Sequence, residues 1–241
     1  MIKKKDLVIK IVILMLFFFL NYLNINNLIK ILPDELENGE IIFTFYRNTI
    51  LRENIIYLLI PIIIYINIRI LNKYFNIYLI TRYVKSDDII RSITNDILKN
   101  NSIFLIFINL IFLINMIINF NIQYVNINFI IYIGLSLIIQ IIGLTAMLLI
   151  IFLVNLWIKR IILSSFIVFA LMTLQKAFLS LLKSDYKSII DMIFYKCNFV
   201  DYLNNICIQV SFLVSFLFVS IFVYILIMNQ FKKRDILNEK N

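Results

Sequence analysis

The sequence contains no histidine, and only two cysteines, three glycines and two prolines among 241 residues. Without imidazole, a Ser-His or Cys-His catalytic pair and a His-ligated metal or haem are excluded. Gly39, Gly134 and Gly143 are too far apart to form a phosphate-cradling loop of the P-loop kind. No nucleophile, base and metal-ligand set converges either. The sequence therefore predicts no catalytic residues, no cofactor and no metal.

Apolar residues dominate what remains. They make up 62% of the chain, and the mean hydropathy is +0.95. A soluble domain is typically about 45–50% apolar, so this composition predicts an integral membrane protein. The net charge of +9 is explained by Lys and Arg in cytoplasmic segments, so we expect no nucleic-acid partner. We predict one all-α transmembrane domain over residues 1–241.

Six apolar runs are long enough to approach the roughly 20 residues that a membrane helix needs. The predicted spans are 7–23, 55–71, 103–120, 129–157, 161–182 and 208–228. Sixteen of the 23 Lys and Arg residues then lie in inner segments or near the inner ends of spans. This bias predicts cytoplasmic termini, a cytoplasmic loop 72–101, and outer segments 24–54 and 183–205. Pro61 is predicted to kink the second span.

The outer segments leave three questions open. Residues Ile41 to Tyr46 are an apolar run too short to span, which fits a short strand or an interfacial helix. Residues Ser188 to Tyr195 are amphipathic and fit either re-entry or a position on the outer leaflet. Cys197 and Cys207 fit a disulfide and two free thiols equally well.

Uncharged amides lie inside the predicted spans, among them Asn109, Asn115, Gln140 and Gln209. Buried amides between membrane helices either pack helices together or mark a substrate path, and packing is the more frequent role. No acidic residue lies inside any predicted span. This argues against a proton-coupled carrier, which needs a titratable relay.

The longest polar interval with a helical pattern is Asn72 to Asn101, and within it we predict a helix from Ser86 to Lys99. Ser86 is a suitable N-cap, and Asp87 and Asp88 follow where negative charge favours a helix N-terminus. Isoleucines then recur at three- and four-residue intervals, which predicts an amphipathic helix. Such a helix, held at the membrane surface between two spans, suits docking in a partner's groove. The alternative is an interfacial helix that lies on lipid headgroups.

The six-span plan and the stretch Tyr78 to Leu98 (YLITRYVKSDDIIRSITNDIL) resemble the ABC-2-type permease subunit. The likeness is to small permeases of bacteriocin and lantibiotic immunity or export systems in Gram-positive bacteria. The resemblance implies a separate ATPase subunit, a second permease copy or related permease, and a place in the cell membrane. The implied substrate is amphipathic, such as a membrane-active peptide or a lipid. The implied contact with the ATPase lies in Arg82, Ser86, Asp87, Asp88 and Arg91.

A different class of protein fits the same sequence. A non-transporting immunity or assembly protein would bind a partner within the bilayer and need no ATPase. A neighbouring reading frame that encodes GxxxxGK[ST] would favour the permease, because that motif cradles nucleotide phosphates.

Overall fold

The computed structural model describes residues 4–29, 38–75, 86–119, 127–183, 186–196 and 202–238. Every regular element in these ranges is an α-helix, which confirms the predicted all-helical class. The helices are α1 (Lys4–Ile29), α2 (Asn38–Thr49), α3 (Glu53–Phe75), α4 (Ser86–Asn119), α5 (Ile127–Ile158), α6 (Ile161–Leu181), α7 (Ile189–Ile193) and α8 (Tyr202–Asn238).

Five of these helices, α3, α4, α5, α6 and α8, are long and apolar enough to cross a membrane. A sixth, shorter apolar stretch, Ile11–Asn27, lies in α1. The helices confirm a membrane protein with several spans. The number six and the cytoplasmic position of both termini stay predictions.

Helix α5 lies at the centre of the bundle. In its most apolar stretch 67% of the residues are buried, against 22% in α6 and in α8. It packs against α2, α3, α4, α6, α7 and α8, and most extensively against α8. A helix that is apolar on all sides is expected to be surrounded by other helices, as α5 is.

Gly143 of α5 allows a close approach. A Cβ atom at this position would lie 2.7 Å from Cγ1 of Ile193 and 3.4 Å from the ring of Phe216. No atom lies within 4 Å of the corresponding point at Gly134. The absence of a side chain is therefore needed at Gly143 and not at Gly134.

The two short helices fill gaps between the long ones. Residues 38–49 form a helix, α2, which excludes the strand that the sequence left open. Ile42, Phe43, Phe45 and Tyr46 are all buried, so this face of α2 packs into the bundle, while Arg47 is exposed. In the same way Ile190, Ile193 and Phe194 of the α7 segment are buried against the bundle. Cys207 is an exposed free thiol, and Cys197 lies outside the described residues.

The structure differs from the predicted loop 72–101, because much of that range belongs to two antiparallel helices, α3 and α4. Helix α3 continues to Phe75, and it remains helical through Pro61. Helix α4 begins at Ser86 and continues without a break to Asn119, so the predicted amphipathic helix is the first part of a span. We call the end where α4 and α6 begin the Lys99 end, and the opposite end of the bundle the Lys176 end.

Candidate functional site

The exposed face of α4 changes its chemistry along the helix. Between positions 88 and 99 the exposed residues are Asp88, Arg91, Asn95, Leu98 and Lys99, which lie on one side of the helix. From position 103 onward the exposed side chains are apolar, namely Ile103, Ile106, Phe107, Leu110, Ile114, Ile117 and Ile118. The change between Lys99 and Ile103 marks where α4 leaves the apolar layer.

The length of α4 agrees with this boundary. At about 1.5 Å per residue, 34 residues extend roughly 51 Å, whereas the apolar core of a bilayer is about 30 Å thick. The first turns of α4 therefore extend beyond the membrane as a rigid continuation of the span. We call the exposed residues Asp88, Arg91, Asn95 and Lys99 the polar stripe.

The apolar side of the same turns is already occupied. Ile89, Ile90, Ile93 and Ile97 are between 0 and 2% exposed within this chain. A partner's groove thus cannot receive these isoleucines, contrary to the docking mode that their spacing favoured. The polar stripe is the part of α4 that remains accessible.

The start of α4 is tied to the end of α3 by Asp96. The hydroxyl of Tyr74 donates to Oδ2 of Asp96 at 2.7 Å, and Nζ of Lys73 lies 3.7 Å from the same oxygen. The ammonium of Lys73 also lies 4.6 Å from the ring centre of Tyr74. Because Lys73 and Asp96 are about half exposed, the ion pair itself contributes little, and the tyrosine bond fixes the geometry.

One turn further into the bundle, three helices share a ladder of amides. Nδ2 of Asn67 donates to Oδ1 of Asn101 at 2.9 Å, and Nδ2 of Asn101 donates to the hydroxyl of Thr145 at 3.2 Å. Thr145 in turn donates to the carbonyl oxygen of Ile141 at 2.7 Å. All three polar residues are buried. This amide ladder holds α3, α4 and α5 together.

A second polar contact lies toward the Lys176 end. The hydroxyl of Tyr46 donates to Oδ1 of Asn109 at 2.9 Å, and Nδ2 of Asn109 donates to the carbonyl oxygen of Leu105. The ring of Tyr46 contacts Phe112, Phe129 and Tyr132 at centroid distances of 5.1, 6.1 and 5.8 Å.

The other predicted intramembrane amides have separate surroundings. Asn115 donates to the carbonyl oxygen of Phe18 at 3.4 Å, and Gln140 donates to Ser136 at 3.3 Å. The side chains of Gln209 and Asn155 are buried, and within the described residues neither makes a hydrogen bond. These amides do not converge on one substrate path.

The residues implied in the ATPase contact are brought together only in part. Asp88 and Arg91 are exposed on the polar stripe. Ser86 and Asp87 begin α4, with side chains outside the described part of the chain, and Arg82 lies outside the described residues. Five residues that make these contacts were not identified from the sequence, because each lies in a predicted polar segment or is a common residue type within a span. They are Tyr46, Tyr74, Asp96, Asn101 and Thr145.

At the Lys176 end, a triad of charges joins three elements. Nζ of Lys176 lies 3.0 Å from Oε1 of Glu53 and 2.9 Å from Oδ1 of Asp191. Ser188 caps α7 by accepting from the backbone N–H of Asp191, and its hydroxyl donates to Oδ2 of Asp191 at 2.6 Å. Burial opposes the charged form of Asp191, but the hydrogen bonds from Ser188 and Lys176 outweigh it and lower the pKa of this carboxyl. Lys176 is thus held between two carboxylates.

Within the described residues, no group of three or more Cys, Asp or Glu side chains is placed to hold a metal ion. A comparison of the chain with protein-family models, with curated proteins and with solved structures finds no match.

Proposed function

We propose that this chain is the membrane-spanning permease subunit of an ATP-driven exporter. A separate ATPase binds the polar stripe, and two permease chains together move an amphipathic substrate such as a bacteriocin-like peptide or a lipid. The observation that supports this proposal most directly is the continuity of α4, which joins an exposed polar surface to a membrane span.

The contacts of α4 explain how force at one end reaches the other. From Asp88 to Asn109 the helix extends about 32 Å at 1.5 Å per residue. Over this length it is bonded to α3 through Asp96 and Asn101, and to α2 through Asn109. A push on the polar stripe therefore moves the position of Tyr46 as well. Rigid elements with shared contacts are the usual carriers of such coupling.

Charge reversal on the polar stripe tests the proposal. Asp88→Lys combined with Arg91→Glu should lower co-purification of an ATPase and export by about tenfold or more, because mismatched charges across an interface cost several kcal/mol. Membrane insertion and helix content should be unchanged, since both side chains are exposed. Arg52→Glu, a charge reversal of an exposed residue at the Lys176 end, is the control and should leave ATPase binding intact. Unchanged co-purification and export in the double variant would count against the proposal.

A second candidate function is a non-transporting immunity or assembly protein that binds a partner within the bilayer. The observation that favours it is the large apolar surface left on α6 and α8, each only 22% buried in its most apolar stretch. Purification from native membranes separates the two candidates. An ATPase that co-purifies supports the permease, and an integral membrane partner that co-purifies without an ATPase supports this alternative.

A further inference from the structure

A charged cleft lies at the Lys176 end of the bundle, between the start of α3, the end of α6 and the α7 segment. Its volume is about 420 Å³. Its charged lining consists of four lysines and two carboxylates: Lys176, Lys183, Lys187, Lys196, Glu53 and Asp191. The described lining is therefore positive by two charges.

The two carboxylates share a single lysine. Both are bound to Lys176, and Asp191 is also held by Ser188. Three lysines remain: Lys183, Lys187 and Lys196 are exposed, and within the described residues no carboxylate pairs with them. Asp185, which lies between two of them in the sequence, is outside the described residues. Within the described residues, the rim of the cleft thus presents three ammonium groups above a floor in which one lysine and two carboxylates leave one negative charge.

The backbone at Lys183 is in a conformation that lysine rarely adopts. Its φ angle is +48°, in the left-handed region, directly after α6 ends. Its N–H donates to the carbonyl oxygen of Ser180 at 3.2 Å, which closes the end of the helix. Glycine is the residue that this position favours, because a side chain there is strained. Because glycine relieves this strain, the variant Lys183→Gly removes the ammonium group without destabilising the fold.

The cleft lies at the end of a membrane-spanning candidate, α6. Lys176, Leu179, Ser180 and Lys183 line the cleft from one side of this helix end. Phe178, Leu181 and Leu182 lie on the opposite side and are 62, 81 and 60% exposed, so the apolar layer reaches the level of the cleft. A ligand in the cleft would therefore lie at the membrane–water interface, where lipid headgroups lie.

We propose that the cleft binds the phosphate-bearing headgroup of an anionic membrane lipid. Lys183, Lys187 and Lys196 hold the phosphate, and the acyl chains lie in the apolar layer beside the cleft. Lysine binds phosphate as a point charge, and basic residues at a membrane surface attract anionic lipids by roughly 1 kcal/mol each, which is about fivefold in affinity. The proposal does not depend on the permease function, because it concerns only the Lys176 end.

The test measures lipid bound to the purified full-length protein in neutral detergent, by native mass spectrometry. The protein is titrated with phosphatidylglycerol, which is anionic, and with phosphatidylcholine, which is not. The wild type should bind phosphatidylglycerol more tightly. Lys187→Gln and Lys196→Gln should each weaken that binding about fivefold, with little effect on phosphatidylcholine. Unchanged binding in the double variant would overturn the proposal.

Two lysines with left-handed backbone give a matched pair, since Lys159 has φ +59° just before α6 and Lys183 has φ +48° just after it. Both Lys159→Gly and Lys183→Gly should leave the thermal midpoint equal or higher, because glycine relieves the backbone strain. Only Lys183→Gly should weaken phosphatidylglycerol binding, by about fivefold. An equal loss in both variants would show general charge attraction and overturn the proposal.

Soluble anions distinguish the lipid from its headgroup. Glycerol phosphate and inorganic phosphate should displace the lipid only at far higher concentration, because neither has an acyl chain to bury. Displacement by inorganic phosphate at the concentration of the lipid itself would show a free-anion site and overturn the lipid assignment.

Discussion

Two sets of buried amides in this bundle differ only in whether they have partners. Asn67 and Asn101 are buried and hydrogen-bonded into the amide ladder. Asn155 and Gln209 are equally buried, yet within the described residues their side chains bond to nothing. Burial of an unpaired amide costs free energy, whereas a paired one fixes the register of the helices that share it. An amide inside a span is thus informative only once its partner is known.

The difference also separates two parts of the bundle. The ladder joins α3, α4 and α5, and α4 is the helix that extends from the membrane. Gln209 lies on α8, which packs on α5 mainly through apolar side chains such as Phe216. The ladder therefore locks the part of the bundle that would transmit force, whereas the buried amide of Gln209 adds no hydrogen bond between α8 and the other described residues.

The largest effect on stability is expected from a substitution that breaks the amide ladder. Asn101→Ala removes its bonds to Asn67 and Thr145 and leaves a cavity, so we expect a loss of about 2 kcal/mol in the free energy of unfolding. Unfolding of the purified protein in detergent, followed by its helix signal, measures this loss. Asn95→Ala is the matched control, because Asn95 is exposed on the same helix six positions earlier. Similar losses in both variants would show that the ladder contributes nothing beyond helix propensity.

The sequence predicted the helix at Ser86 to Lys99 but not its continuation. The polar run from Lys99 to Ser102 interrupts the hydropathy, which suggested a loop followed by a new span. The buried positions nevertheless continue at three- and four-residue intervals from Ile97 through Asn101 to Phe104 and Ile108. Reading Asn101 as a core position would have joined the two segments.

The short helices could not be placed from the sequence for a different reason. The run around Tyr46 is too short to span a membrane, and a strand, an interfacial helix and a buried helix all fit it. The position of α2 depends on the space between α4 and α5. The ring of Tyr46 fills this space, and its hydroxyl donates to Asn109. Likewise Ile193 is buried because Gly143 has no side chain. Both outcomes depend on residues distant in the sequence, which local patterns do not connect.

A smaller effect is expected for the charged triad, where the partners are ionic and partly exposed. The pKa of Asp191 is lowered in the folded protein, so its charged form stabilises the fold above the ordinary carboxyl pKa of 3.8. That stabilisation is lost as the pH falls through the folded value. Asp191→Asn should lower stability at pH 7 by less than about 1 kcal/mol, because solvent screens the pair. Thermal midpoints between pH 7 and pH 3 should show the gap to wild type closing.

The control for the triad is Glu53→Gln, which removes the more exposed of the two carboxylates. At 56% exposure, its ion pair should contribute less than about 0.5 kcal/mol at any pH in this range. A gap between Asp191→Asn and wild type that stays constant from pH 7 to pH 3 would contradict the titration of Asp191. It would assign the loss to packing of α7 instead.

The smallest change in stability is expected where an amide has no partner. Gln209→Leu removes a buried group that pays for desolvation without a hydrogen bond, and leucine is nearly isosteric with glutamine. We expect the free energy of unfolding to stay within about 0.5 kcal/mol of wild type or to rise. Asn67→Leu is the matched substitution of a paired amide and should be clearly destabilising. If Gln209→Leu is as harmful as Asn67→Leu, then Gln209 has a partner in the assembled membrane protein, and the contrast between the two sets of amides does not hold.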